Sequence, residues 1–209
     1  MQTPAPARPR TKPASIRLEE LMDAAETLFL SRGVEQTTIS EIVAAADVAK
    51  GTFYTYFASK TDVLRALAER YTQRFVDALE QATQEHPADD GEARLRAWIE
   101  ASIALYARTH AVHDVVYANH HHLDRANRER NALLQQLQGI LEVGVASGLW
   151  QLPSPRVTAS LIYAGVHGAT DDLIATPEQD AAAFSAAVVE DCLAMVGARR
   201  PSVRPKKRG

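Results

Sequence analysis

Apolar residues recur at helical spacing from near the start of the chain. Ile16, Leu18, Leu21, Ala24, Ala25, Leu28 and Phe29 fall on one helix face, and Gly33 stands where a C-cap glycine belongs. A second helix opens with the capping-box pair Thr38 and Glu41 and runs through Ile39, Ile42 and Val43 to about Ala45. Ala46-Asp47-Val48 reads as a turn, and a brief third helix covers about 49–55. Ser59 and Asp62 repeat the capping pattern at the head of a long helix reaching about Glu85, which His86-Pro87 and the polar run 88–91 terminate. Further helices are predicted at about 92–109, 112–119, 123–147, 155–175 and 177–196. Gly148 and the Pro153/Pro155 pair break the chain before the fourth of these. The last is expected to open with Thr176 as N-cap, Pro177 at N1 and Gln179 at N3. No alternating strand pattern, hairpin signal or internal repeat intervenes. The predicted fold class is all-α: three N-terminal helices of the helix-turn-helix type, then a larger helical domain.

Composition agrees with helix. Hydrophobic residues make up 46% of the 209, with only 10 Gly and 10 Pro. The single cysteine, Cys192, excludes an intramolecular disulfide and a cysteine zinc cage, and its apolar helical setting predicts a buried structural thiol. No run approaches the ~18–20 apolar residues of a membrane span, and MQTPAPARPRTKPAS lacks the apolar core of a signal peptide. A cytoplasmic protein without a membrane partner is expected.

Charge changes the picture more. Arg8, Arg10, Lys12 and Arg17 precede the first acid, and Arg199, Arg200, Arg204, Lys206, Lys207 and Arg208 follow the last. Residues 18–197 hold all 26 acids against the remaining 13 basic residues, a formal charge of −13. A disordered basic arm (1–14) and a disordered basic tail (198–209) are expected, suited to polyanions or to keeping the chain in solution.

The segment 37–60, TTISEIVAAADVAKGTFYTYFASK, is a poor helix former for its length: Gly51 alone costs about 1 kcal/mol relative to Ala. Two short helices after a longer amphipathic one make a helix-turn-helix unit. Val48, Phe53 and Phe57 are spaced to anchor the third helix in the core, which leaves Lys50, Gly51, Thr52, Tyr54 and Tyr56 outward or at the rim. Hydroxyls, an ammonium and a bare glycine suit close contact with a phosphate backbone, and helix N-termini near Thr38 and Lys60 add N–H donors. A three-helix bundle with a polar face of no function fits the same spacing.

The segment resembles the DNA-binding signature of the TetR family of transcriptional regulators, approximately T-x-x-x-I-x-x-x-A-G-V-S-x-G-T-x-Y-x-Y/H-F-x-x-K. It matches at Thr38, Ile42, Ala46, Val48, Gly51, Thr52, Tyr54, Tyr56, Phe57 and Lys60, with Leu64 beyond. The preceding helix, with Ala24 to Phe29 and then Gly33, fits as well, so the likeness covers about 15–75. Two positions depart from it. Asp47 replaces the turn glycine, a residue that tolerates the left-handed backbone better than most. Ala49 replaces a Ser or Thr, which removes an N-cap and puts Ala49 in doubt as a contact.

The resemblance implies a helix-turn-helix DNA-binding domain over 15–75 and a helical effector-binding and dimerisation domain over 76–197. It implies phosphate contacts from Thr38, Tyr54, Tyr56 and Lys60, and places Lys50, Gly51, Thr52 and Thr55 nearest the base edges. Lys50 is the candidate for direct readout of guanine. The expected partners are a palindromic double-stranded operator, a small-molecule effector and a second copy of the chain. The expected action is repression relieved by the effector.

Beyond residue 88 no motif is as specific. Leu161, Gly165 and Gly168 on one predicted helix and Phe184, Val188, Val189 and Leu193 on the next are candidates for a dimer interface. Trp98, Tyr106, His113, Tyr117, Trp150, Tyr163 and His167 are candidates to line an effector pocket, with plain core packing the competing reading of each. His110 and His113 share a helix face and are weak metal-ligand candidates; the run His120-His121-His122 points in different directions and reads as a polar turn. A metal-responsive sensor or a regulator controlled by a protein partner remains an alternative. Zinc-protease, P-loop, nucleophile-elbow and di-iron motifs are absent, so no enzyme and no cofactor is expected.

Overall fold

A computed structural model describes residues 13–117 and 128–197; the expected arm and tail, apart from Pro13 and Ala14, and His120 to His122 lie outside the described residues. Among the described residues there are eight helices and no strand: α1 (Ala14–Arg32), α2 (Ile39–Ala45), α3 (Lys50–Tyr56), α4 (Lys60–Gln84), α5 (Gly91–Tyr117), α6 (Arg128–Ala146), α7 (Pro155–Ala175) and α8 (Ala181–Met195). They divide into two compact units. The first takes 13–71 and 111–117; the second takes 72–110 and 128–197.

In the first unit Leu21, Ala25 and Phe29 stack at intervals of four on α1 and pack with Ile42, Val43, Phe53, Phe57, Leu64, Leu67 and Val116. Gly33 ends α1 at φ 84°, its N–H bonded to Phe29 O. Both sequence-predicted capping pairs form. Thr38 Oγ1 accepts from Glu41 N while Glu41 Oε2 accepts from Thr38 N. At the head of α4, Ser59 Oγ donates to Asp62 Oδ2 and accepts from Asp62 N, which holds the Asp62 carboxyl below its ordinary value. Arg70 of α4 clamps α1: its guanidinium reaches Glu19 and Asp23 at 2.8 Å and Glu26 at 2.9 Å, three acids on one helix face. Burial pulls the Arg70 pKa down, but the three carboxylates outweigh it and the net shift is upward.

The second unit is built on Leu79, Leu95, Trp98, Ile99, Leu137, Leu141, Ile162, Val189 and Leu193. Its tightest fit is Trp150, whose indole N–H donates to Leu141 O at 2.8 Å and whose ring lies over Gly144, where any Cβ would overlap it. Cys192 is buried here as expected, and that burial raises its thiol pKa to about 11.

Two helix boundaries differ from the sequence-predicted ones. The helices predicted at 92–109 and 112–119 form one continuous α5. Thr109 Oγ1 donates to Leu105 O, and His110 Nδ1 lies 2.9 Å from Ala107 O, so polar side chains fold back on the helix instead of interrupting it. The last helix begins at Ala181, not near 177. Asp180 is its N-cap and accepts from the N–H of both Ala182 and Ala183; Thr176 instead terminates α7, and Gln179 N closes a turn on Thr176 O. A carboxylate at a helix N-terminus is the stronger cap.

Candidate nucleic-acid interface and helical interior

The turn between α2 and α3 sets the aim of α3. Val48 N donates to Val43 O and Asp47 N to Ala44 O, the paired bonds of a Schellman motif, with Asp47 at φ 52° in the left-handed position. Asp47 therefore occupies the place the resemblance gives to glycine. Ala49 is the N-cap of α3 and makes no side-chain capping bond. What holds α3 is apolar: Phe53 is fully buried, and its ring meets Phe57 at 5.7 Å and the edge of Tyr54 at 5.5 Å. Val48 is half-buried beside them.

With Phe53 and Phe57 inward, Lys50, Gly51, Tyr54 and Thr55 are exposed, and Thr52 and Tyr56 sit half-buried at the rim. Tyr54 keeps 53% of its surface in solvent, unusual for a large aromatic. A Cβ added at Gly51 would meet nothing within 4 Å, so the backbone there lies open to an approaching surface. Thr55 Oγ1 donates back to Gly51 O.

Two sequence-predicted phosphate ligands are otherwise engaged. Lys60 Nζ donates to Val34 O (2.7 Å), Glu35 O (3.2 Å) and Thr37 O (2.7 Å), so all three ammonium protons tie α4 to the loop before α2. It is a strut in this conformation, not an available phosphate donor. Thr38 is exposed, but its hydroxyl donates to Glu41 Oε2, and that carboxylate also pairs with Arg32 at 2.8 Å. The anion at this helix N-terminus is thus the chain's own. Its pKa is lowered chiefly by the Thr38 backbone N–H, then by the Thr38 hydroxyl and Arg32.

The seven effector-pocket candidates are distributed over both units. His113 and Tyr117 belong to the first unit, their rings 4.9 Å apart and both beside Tyr71, with His113 Nδ1 3.2 Å from Asp114. Trp98, Tyr106, Trp150, Tyr163 and His167 belong to the second. There Tyr106 stacks on His167 at 4.6 Å and donates to Asp171 at 2.8 Å, and Tyr163 lies parallel to His167 at 6.2 Å. Trp150 is a packing residue, as its Gly144 notch shows. His110 and His113 have the separate partners given above, and among the described residues no three His, Cys, Asp or Glu side chains group as metal ligands.

The interface candidates divide as well. Leu161, Gly165 and Gly168 are exposed on α7, joined by Val157. On α8, Val189 and Leu193 are buried in the unit's own core and Phe184 and Val188 are half-buried against it. The exposed side of α8 instead carries Ala183, Ala186, Ala187, Ala194 and Met195, with Asp191 among them, and apolar periodicity alone does not separate these small residues from the buried ones.

An all-α chain with a capped α2, a Schellman turn and a core-anchored α3 presenting hydroxyls, a lysine and open backbone defines a helix-turn-helix DNA-binding protein. The chain belongs to the TetR family. The family described as "Bacterial regulatory proteins, tetR family" matches residues 21–67, and "Tetracyclin repressor-like, C-terminal domain" matches 88–171. The chain is similar to the HTH-type transcriptional repressor KstR2 of Rhodococcus jostii: 32% identical over 154 residues, 70% of this chain and 73% of that one. It is also similar to the fatty acid metabolism regulator protein of Bacillus subtilis, 28% identical over 134 residues, 62% of this chain and 68% of the relative. Among solved structures it shares the fold of FadR from Bacillus subtilis in complex with stearoyl-CoA, at TM-score 0.70, 24% identity and coverage of 87% and 99%. It is a DNA-binding transcriptional regulator of this family. Among the described residues no helix is long and apolar enough to cross a membrane.

Proposed function

We propose that the chain is a dimeric repressor that reads a palindromic operator with α3 and leaves it when a small, mainly apolar effector seats in the second unit. The solvent-facing side of α3 carries this reading: Lys50, Gly51, Tyr54 and Thr55 stand outward on a helix fixed from behind by Phe53 and Phe57. Lys50 reads base edges, and Tyr54 and Tyr56 take phosphates. Thr52 supports them from the rim. Dimerisation uses the exposed small-residue faces of α7 and α8, from Leu161, at 57% exposure, to Met195. Two copies place two α3 helices at half-sites ~34–36 Å apart.

Repression and an apolar effector are supported by the names of the relatives, a repressor and a regulator of fatty acid metabolism. Release requires that the effector bind the non-DNA conformation more tightly. The test is titration of the intact protein against its own upstream region and against a pool of random duplexes. Specific binding that vanishes in Tyr54→Ala, with Leu161→Glu converting dimer to monomer in sedimentation, supports the reading. A Tyr54→Ala variant that binds as tightly as the parent contradicts it.

A further inference from the structure

Many hydroxyls in the described helices donate to a backbone carbonyl of the preceding turn, the buried Thr83 to Glu80 O three residues back and most others four residues back. Thr27, Ser31, Thr55, Thr109, Thr158, Ser160, Thr170 and Ser185 all reach four back. The buried Thr170 is satisfied this way by Val166 O at 2.7 Å. Ser102 is also helical and buried, 6% exposed, yet its Oγ has no partner among the described residues. One turn earlier on the same face of α5 stands Trp98, 2% exposed, whose indole N–H likewise has none. The chain's other tryptophan shows what is ordinary, since Trp150 donates to Leu141 O. A buried indole N–H or hydroxyl without a partner is destabilising and uncommon, and two on adjacent turns are more so. A third buried atom, Gln136 Oε1 on α6, is also unpartnered, while the same amide's nitrogen is anchored to Val76 O of α4 at 3.0 Å.

We infer that Trp98 and Ser102 form a polar subsite inside the second unit, built for the oxygen of an uncharged, mainly apolar ligand: an ester, thioester, ketone or alcohol. The indole is donor only, so the ligand brings an acceptor; the serine hydroxyl both donates and accepts, so a carbonyl or a hydroxyl satisfies it. Ionised groups are excluded by the surroundings. The buried polar residues of this unit, among those described, are Thr72, Thr83, Ser102 and Thr170, none of them charged. A carboxylate or ammonium placed there would be desolvated without a counter-ion. His167 and Asp171, the ionisable partners of the buried Tyr106, are themselves partly exposed, with side-chain exposures of 31% and 54%. This inference rests on the effector reading above and narrows it to a ligand class.

The test titrates the full-length protein, without DNA, with four C12 probes below their micellar concentrations: 1-dodecanol, methyl dodecanoate, dodecanoate and dodecyltrimethylammonium. Tryptophan fluorescence reads binding, since Trp98 and Trp150 are the only two tryptophans. The alcohol and the ester shift the emission and bind at least about tenfold more tightly than either ion. Ser102→Ala weakens the two neutral probes about five- to tenfold, the worth of one hydrogen bond. The same variant melts at or above the parent's temperature without ligand, because it removes a buried unpaired hydroxyl. Trp98→Phe abolishes the spectral response and weakens the neutral probes to a similar degree. Charged probes that bind as well as neutral ones, or neutral-probe affinity unchanged in Ser102→Ala, would overturn the subsite. Operator binding is read separately by anisotropy. Lost head-group discrimination with operator binding intact overturns the subsite alone. Discrimination without operator binding supports the subsite and removes the regulator reading.

Discussion

The polar side chains around the reading helix and those around Trp98 are bonded in opposite ways. In the first unit, the groups near the reading helix are locked: Lys60 by three carbonyls, Thr38 and Glu41 by each other, Arg70 by three acids. In the second, polar atoms of Trp98, Ser102 and Gln136 are buried without partners among the described residues, beside a tryptophan that is fully satisfied. A reading head gains from rigidity, because its contacts must be presented in one geometry. An interior that receives a ligand gains from groups held in reserve. Bonding that looks merely structural in one unit and incomplete in the other thus separates presentation from reception.

The largest effect should come from the packing that fixes α3. Phe53→Ala is expected to destabilise the protein by about 3–5 kcal/mol in urea unfolding, removing both stability and DNA binding. Tyr54→Ala, one residue away and exposed, is expected to change stability by no more than about 0.5 kcal/mol while removing binding. Equal loss of stability in both would break the distinction between anchor and contact. Next, Lys60→Met should cost about 2 kcal/mol by leaving carbonyls of the α1–α2 loop without their donor. The slope of log affinity against log salt should stay unchanged for the folded variant, whereas Lys50→Ala should lower it by about 1 if Lys50 also meets a phosphate on its way to the base.

Smaller effects concern the α2 cap and its turn. Thr38→Ala should cost about 1 kcal/mol at neutral pH. Because the Glu41 pKa is lowered in the folded chain, its contribution is present above the ordinary carboxylate range and is lost as pH falls through the depressed value. The parent's acid limb of unfolding should therefore be steeper than that of Thr38→Ala. Asp47→Gly should raise stability by about 0.5–1 kcal/mol, since glycine carries no penalty at φ 52°. Destabilisation by this change would mean that Asp47 contributes a bond beyond the turn geometry.

The first unit was the more legible in sequence because its signals are local. Capping pairs three residues apart, a glycine after α1 and aromatics at helical spacing each act within one or two turns, and the structure places them as the spacing implies. What stayed hidden there was long-range: Lys60 meets carbonyls 23 to 26 residues away, which no pattern in the sequence announces. In the second unit periodicity gave helices but not faces. On α8, alanines alternate with Val189 and Leu193 so evenly that the buried and exposed sides carry similar apolar character. Ser102 carries no signal in the sequence, because a helical serine ordinarily bonds its own backbone and only the geometry distinguishes one that does not.

The most direct measurement is the salt dependence of binding to a duplex selected from random sequence, compared among the parent, Lys50→Ala, Tyr54→Ala and Lys60→Met, each first shown to be folded. A palindromic selected site is expected. Base preference should relax in Lys50→Ala, affinity should fall in Tyr54→Ala, and the salt slope should persist in Lys60→Met. Recovery of no preferred sequence, or a slope lost in Lys60→Met and kept in Lys50→Ala, would contradict the assignment of α3 as the reading face and Lys60 as its strut.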